Sequence, residues 1–271
     1  MTTGTANAVT TVMARMAENG PGPAMRWCDQ EISYDRLFAL IDDWVGRLGD
    51  EEIGRGTVCG VFGDYSPETQ QKDIHAFVQT VGLTDLVIMG LSMGGRNAFT
   101  YASSHGDDVR ALVIVDAGPE NMRSGSQNIR QFVQQDDELD SVDAFVQRFR
   151  KYNPRRDPIQ VRGSMVHNLK QLPNGKWTWK YDRLLRGPSR NMQQDPDAAN
   201  RMWSYLEGLT CPTLVVRGAE SDIIAMETAG AMHERIPNGR LATVPGAGHL
   251  VMGDNPAGFE QAVTGFLSRF A

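Results

Sequence analysis

The sequence predicts an α/β fold in which a parallel sheet is covered by helices on both faces. Apolar strand patterns alternate with helical patterns, and this alternation is typical of parallel sheets. Strands are expected at about residues 57–62, 86–90, 111–116, 212–217 and 240–244. With 271 residues, 41% of them hydrophobic, the chain is long enough for one such domain with an insertion.

A glycine-flanked serine follows the second of these strands. The motif G-L-S-M-G at 90–94 comes directly after the apolar run at 86–89 and before a stretch of helical composition. A strand, a tight turn and a helix around G-x-S-x-G form a nucleophile elbow, which exposes the serine hydroxyl above the sheet. We expect side chains at Gly90 and Gly94 to collide with neighbouring backbone. Ser92 is therefore the predicted nucleophile.

A histidine and two carboxylates complete the candidate site. His249 ends the glycine-rich loop V-P-G-A-G-H and lies downstream of Ser92, so that the chain order can be serine, acid, histidine. The acid would orient the imidazole and stabilise its protonated form. Asp222 follows the strand at 212–217, and Asp116 ends the strand at 111–116. We favour Asp222 on position alone, with Asp116 as the alternative acid.

From about residue 64 to residue 271 the chain resembles the α/β-hydrolases that act as esterases or cleave C–C or C–N bonds. The resemblance rests on D-Y-S-P-E at 64–68, the glycine-flanked serine at 90–95, V-D-A-G-P-E at 115–120, R-G-A-E-S-D at 217–222, G-A-G-H at 246–249 and D-N-P at 254–256.

This resemblance implies a mechanism without a metal or an organic cofactor. Ser92 would be the nucleophile, His249 the general base and then acid, and Asp222 the orienting carboxylate. The N–H of Met93 would be one oxyanion donor. Hydrolysis of a small carboxylic ester or a related acyl compound is the first expectation, with an amide, a lactone or a C–C bond as alternatives.

The N-terminal part departs from that family because no His-Gly loop, which would supply the second oxyanion donor, precedes the elbow. Residues 1–68 instead resemble the start of adenylate-forming ligases, without the phosphate-binding loop of those enzymes. The similar segments are P-A-M-R-W at 23–27, I-S-Y-D-R-L at 32–37 and G-R-G-T-V at 54–58. We therefore separate an atypical segment, 1–63, from a hydrolase core, 64–271.

The atypical segment is expected to contain a helix, a hairpin at Met25–Tyr34, a second helix and the strand at 57–62. A strand-helix-strand unit usually joins neighbouring parallel strands, so this strand should lie beside the elbow strand. The N–H of Gly63 would then replace the missing oxyanion donor. Without such a donor, the alternative is a catalytically impaired or non-catalytic hydrolase-fold protein, fused or truncated.

Residues from about 120 to 208 predict a mostly helical insertion that caps the pocket. Caps of this kind exclude water and shape substrate pockets. Within it, Trp177, Trp179 and Tyr181 alternate as in a short strand. Two roles stay open for Trp177 and Trp179, which could pack inside the cap or line the substrate pocket.

Composition argues against several classes of partner. A net charge of −6 without a basic run gives no reason to expect nucleic acid or an anionic membrane. The three cysteines lack metal-type spacing, and no apolar stretch approaches the roughly 20 residues of a membrane span. We expect a cytoplasmic protein that acts on a small acyl substrate, binds no metal and could form a homodimer.

Overall fold

The computed structural model describes residues 23–27, 30–33, 39, 66–81, 83–181 and 197–270. The chain divides into two compact units, Met1–Gly63 and Asp64–Ala271. In the first unit, strands β1 (Pro23–Trp27) and β2 (Gln30–Ser33) pair antiparallel, as the predicted hairpin requires. The strand predicted at 57–62, its loop with Gly63 and most of the two predicted helices lie outside the described residues.

The second unit contains strands and helices in alternation. Its described strands are β3 (Leu86–Leu91), β4 (Val109–Val115), β5 (Leu169–Gln171), β6 (Trp177–Trp179), β7 (Thr213–Gly218) and β8 (Gly239–Val244). Its described α-helices are α1 (Pro67–Val81), α2 (Met93–Ser104), α3 (Arg123–Val133), α4 (Val142–Tyr152), α5 (Pro158–Asn168), α6 (Ala198–Glu207), α7 (Met226–Arg235), α8 (Val251–Asp254) and α9 (Pro256–Leu267).

The central sheet has the strand order β3-β4-β7-β8, and all its described pairs are parallel. Strand β7 is buried along its whole length and β4 at every residue except Arg110. Near-continuous burial is what a parallel strand covered on both faces requires. The predicted α/β class is therefore confirmed, and each described strand of this sheet begins and ends within two residues of its predicted bounds.

Successive residues of β4 face opposite sides of the sheet, as the pleat dictates. Ala111, Val113 and Val115 pack in one apolar cluster with Phe266 of α9. Leu112 and Ile114 alternate with them and are fully buried. Helix α2 packs against β3 and β4, and α1 packs against α2.

The predicted cap is present as the insertion between β4 and β7. Helices α3, α4 and α5 come first, and the antiparallel hairpin of β5 and β6 and then α6 follow. The cap has its own apolar core, in which Phe145, Phe149, Val161, Met165, Leu169 and Trp179 are buried together. This core is separate from the apolar cluster of the sheet. Cap residues hydrogen-bond residues that follow β7 and β8, so the cap lies at the carboxyl ends of the strands. Along the described part of the chain, no helix is long and apolar enough to cross a membrane.

Candidate active site

Ser92 occupies a strained turn between β3 and α2. Its φ is 56° and its ψ is −120°, a backbone conformation that non-glycine residues rarely adopt. The Ser92 N–H donates a 3.0 Å hydrogen bond to the carbonyl oxygen of Val115, which fixes the turn to the end of β4. Strand β3 ends at Leu91 and α2 begins at Met93, so the predicted order of strand, turn and helix is present.

Two glycines let the backbone close around this turn. A Cβ atom at Gly90 would lie 2.2 Å from the carbonyl oxygen of Gly94, and one at Gly95 would lie 2.7 Å from the Cβ of Ala117. A Cβ at Gly94 would meet nothing within 4 Å. The expected collision is therefore correct for Gly90 and wrong for Gly94, which lies exposed on the first turn of α2. Gly95 is the second glycine that the packing requires.

Asp116 lies at the same edge of the sheet as Ser92. Leu91 and Val115 are paired in the β3–β4 register, so the residues that follow them leave the sheet side by side. The Asp116 N–H donates a 2.8 Å hydrogen bond to the carbonyl oxygen of Val216 on β7. Its φ is 43° and its side chain is fully buried. The backbone thus aims this carboxylate into the protein at the strand ends.

The Asp116 carboxylate is the partner of His249. One of its oxygens, Oδ2, lies 2.8 Å from His249 Nδ1 and accepts a 2.6 Å hydrogen bond from the hydroxyl of Ser221. The other oxygen accepts a 3.3 Å hydrogen bond from the N–H of Gly218. The His249 side chain is only 13% exposed. This contact therefore fixes the orientation of a largely buried imidazole.

The favoured acid, Asp222, lines the same cavity as His249 but forms no hydrogen bond or ion pair with it. Its Oδ2 accepts a 2.8 Å hydrogen bond from the side-chain amide of Asn128 in the cap. The loop after β7 turns so that the preceding residue, Ser221, reaches the buried carboxylate. The interaction that was predicted for Asp222 is made by Asp116, the alternative acid.

Arg217 explains why the loop takes this path, and sequence reasoning missed its role. Its guanidinium is buried and donates to four carbonyl oxygens at 2.8–3.2 Å, those of Gly218, Ala219, Ser221 and Ile224. Charged donors form stronger hydrogen bonds than neutral ones. The available signal was an arginine at the fifth position of an otherwise apolar strand, T-L-V-V-R-G.

The loop that carries His249 is held by the cap. Asp254 accepts hydrogen bonds from the N–H of Gly248 at 2.9 Å and from the side-chain amide of Asn153 at 2.8 Å. Arg155 forms a 2.7 Å ion pair with Glu220 in the loop after β7. One cap residue therefore binds the carboxylate that holds the His249 loop, and another binds the loop after β7.

A cavity of about 530 Å³ opens beside His249 and is lined by residues from the cap and both loops. Asp222, Arg155 and Tyr152 are among the lining residues. Burial and the nearby Asp222 carboxylate raise the pKa of Tyr152 to about 12, so this phenol stays protonated at neutral pH. The cavity wall is thus largely polar and can hydrogen-bond a polar substrate.

Neither of the two tryptophans considered for the substrate pocket is among the residues that line this cavity. Trp179 is buried in the cap core, where its ring meets the edge of Phe145 at a centroid distance of 5.1 Å. Trp177 packs against the same cluster and pairs with Leu139 through the backbone. The sequence left two roles open for these tryptophans, and their contacts are those of packing inside the cap.

Comparison with known proteins identifies the family. The family model for the α/β-hydrolase fold matches residues 49–256. The chain belongs to the α/β-hydrolase family. The match begins ahead of residue 64 and so includes the last 15 residues of the atypical segment, 49–63.

Three similar proteins support a hydrolase enzyme. An esterase of Mycobacterium tuberculosis is 26% identical over 212 residues, which are 76% of this chain and 68% of the esterase. A 2-(acetamidomethylene)succinate hydrolase of Mesorhizobium japonicum is 22% identical over 264 residues, 94% of this chain and 92% of that enzyme. The crystal structure of an α/β-hydrolase from Novosphingobium aromaticivorans has a TM-score of 0.64 at 26% identity, covering 76% of this chain and 73% of that one.

These relatives agree with the hydrolase resemblance of the sequence. None of the three supports the resemblance of residues 1–68 to an adenylate-forming ligase.

The elbow glycines give a matched pair of variants. Gly90→Ala should lower the free energy of unfolding by about 2–3 kcal/mol, because its Cβ must displace backbone atoms. Gly94→Ala should be neutral or stabilising by up to about 1 kcal/mol, because alanine favours an open helical position. Urea unfolding followed by circular dichroism measures both. Equal stability of the two variants would contradict this account of the turn.

Proposed function

We propose that the chain is a serine hydrolase that transfers the acyl group of a small carboxylic ester, or of a related acyl compound, to water. Ser92, His249 and Asp116 carry the reaction. The supporting observation is the buried contact of 2.8 Å between His249 Nδ1 and Asp116 Oδ2, at the sheet edge where the Ser92 turn opens. The relative named as an esterase favours an ester as the substrate.

Asp116 determines which nitrogen of His249 acts as the base. A carboxylate can only accept hydrogen bonds, so its contact with Nδ1 places the ring proton on that nitrogen. The other nitrogen, Nε2, is left with its lone pair and can take the proton from the Ser92 hydroxyl. The buried negative charge then stabilises the imidazolium that forms.

The acyl group passes through a covalent intermediate. The Ser92 oxygen attacks the carbonyl carbon, and the tetrahedral intermediate collapses as His249 protonates the leaving alcohol. Water enters, His249 removes one of its protons, and the resulting hydroxide attacks the acyl-enzyme. Proton return to Ser92 releases the carboxylic acid and restores the starting state.

The oxyanion needs hydrogen-bond donors at the N-terminus of α2. The Met93 N–H is the first amide of this helix, and helix N-termini favour negative charge. The Gly63 N–H stays our predicted second donor. The strain stored at Ser92 is consistent with a turn built for function, because such backbone conformations cluster at active sites.

Replacement of the nucleophile tests the enzymatic proposal. Ser92→Ala should reduce the turnover of p-nitrophenyl acetate by at least about a thousandfold, because no hydroxyl remains to form the acyl-enzyme. Ser104→Ala, an exposed position at the end of the same helix, is the control and should keep parental activity. A fluorophosphonate probe should label the parent and the control but not Ser92→Ala. Equal turnover by all three proteins would refute the proposal.

The identity of the acid has its own test. Asp116→Asn should lower kcat by about 10⁴, because an amide no longer holds His249 in the required tautomer. Asp222→Asn should stay within a few-fold of the parent, since this residue contacts Asn128 rather than the imidazole. Thermal melts of both variants control for folding. The reverse order of activities would restore Asp222 as the acid.

The missing His-Gly loop favours a second candidate, a hydrolase-fold protein whose oxyanion site is incomplete. A folded parent protein that no fluorophosphonate labels would support this alternative. The ligase-like N-terminus also stays a prediction, and the absence of any rise in melting temperature with ATP would exclude an adenylating enzyme. The cytoplasmic location and the homodimer remain predictions as well.

A further inference from the structure

Two histidines and an aspartate come together far from the candidate active site, where α1 packs on the C-terminal end of α2. His75 belongs to α1, His105 follows the last residue of α2, and Asp108 ends the short 3₁₀ turn at Gly106–Asp108. One potential ligand atom from each residue lies within 4.8 Å of the other two. The full length of α2 separates this cluster from Ser92, about 18 Å at 1.5 Å per residue.

The polar atoms of this cluster are poorly satisfied. Nδ1 of His75 is buried and has no hydrogen-bond partner among the described residues. Buried polar atoms without a partner are rare in folded proteins and call for an explanation. Asp108 accepts a long hydrogen bond of 3.3 Å from the hydroxyl of the fully buried Tyr101. The cluster therefore has donor atoms available for a ligand.

A cavity of about 310 Å³ adjoins the cluster and gives it access to solvent. His105 and Asp108 line it together with Asp107, Ser104 and Thr210. The space accommodates water molecules, which commonly complete the coordination of a metal held by three protein ligands. It also leaves His105 room to change its rotamer.

We propose that His75, His105 and Asp108 form a binding site for a divalent transition-metal ion, with Zn²⁺ and Ni²⁺ as the clearest candidates. Imidazole nitrogens suit these ions better than they suit Mg²⁺ or Ca²⁺, which prefer oxygen ligands. Two neutral imidazoles and one carboxylate leave a bound dication with a net charge of +1. The carboxylate of the adjacent Asp107, which lines the same cavity, favours that charge.

Binding requires a defined local movement. The rings of His75 and His105 are stacked at a centroid distance of 3.9 Å and an angle of 8°, so their lone pairs lie in nearly parallel planes and do not converge on one point. A tetrahedral ion with bonds of about 2.0–2.1 Å brings its ligand atoms to about 3.3 Å from one another. Closure therefore requires His105, which follows the end of α2 and borders the cavity, to rotate out of this stack.

The proposed ion would fasten α1 to the end of the helix that starts at Ser92. Because metal ligands are assembled only in the folded chain, the ion would stabilise the fold in proportion to its concentration. This role is independent of ester hydrolysis. A protein that binds no metal could therefore still hydrolyse esters, and a protein that hydrolyses no ester could still bind the metal, so the two proposals fail separately.

Titration of the metal-free protein with ZnCl₂ and NiCl₂ in a calorimeter tests the site. The parent should bind one equivalent. His105→Gln and Asp108→Asn should weaken binding by at least about tenfold, since even changes to residues that only support metal ligands cost 10–100-fold in affinity. His167→Gln and His233→Gln remove exposed histidines outside the cluster and should bind as the parent does.

His249→Gln separates this site from a metal bound at the candidate active site. It should keep parental affinity, and loss of binding in this variant alone would overturn the proposal. Parental affinity in His105→Gln and Asp108→Asn would overturn it as well. Should His75→Gln fail to fold, His105→Gln and Asp108→Asn carry the test. Zn²⁺ should then raise the melting temperature of the parent and of His233→Gln but not that of His105→Gln.

Discussion

The buried carboxylate of Asp116 is the constraint on which the candidate site depends. A charged group removed from water is costly unless its oxygens accept hydrogen bonds. Here the donors come from the end of β7, from the loop that follows it and from the loop after β8. Each loop must therefore reach one point below the sheet edge, and His249 is oriented as part of satisfying that charge.

The four carbonyl contacts of Arg217 hold the loop after β7 in the path that brings Ser221 to Asp116. Carbonyl oxygens that turn inward at the end of a strand would be left unpaired without a buried donor. The guanidinium satisfies them and at the same time fixes the direction of the Ser221 hydroxyl. Arg217 thus holds this loop through backbone carbonyl oxygens. Asp116 holds the same region through the Ser221 hydroxyl and the Gly218 N–H.

The sequence predicted the parts of the fold that local patterns determine, namely the strands, the elbow turn, the cap insertion and the loop of His249. It favoured Asp222 as the acid, whereas His249 contacts Asp116, because both aspartates follow buried strands and only the path of the loop after β7 distinguishes them. That path depends on Arg217, whose partners are carbonyl groups that no side-chain pattern reveals. Gly94 was misjudged for a similar reason, since the close contact at Gly95 comes from Ala117 on another element.

The cap contributes to the same network, which connects substrate selection with the chemistry we propose. Asn153 and the backbone of Gly248 share the carboxylate of Asp254, while Arg155 holds Glu220 in the loop after β7. A shift of the cap must therefore break its hydrogen bond to Asp254, which holds the His249 loop, and its ion pair with Glu220 in the loop after β7. The residues that shape the cavity and the residues that position the imidazole are partly the same, so substitutions in the cap should alter kcat as well as substrate affinity.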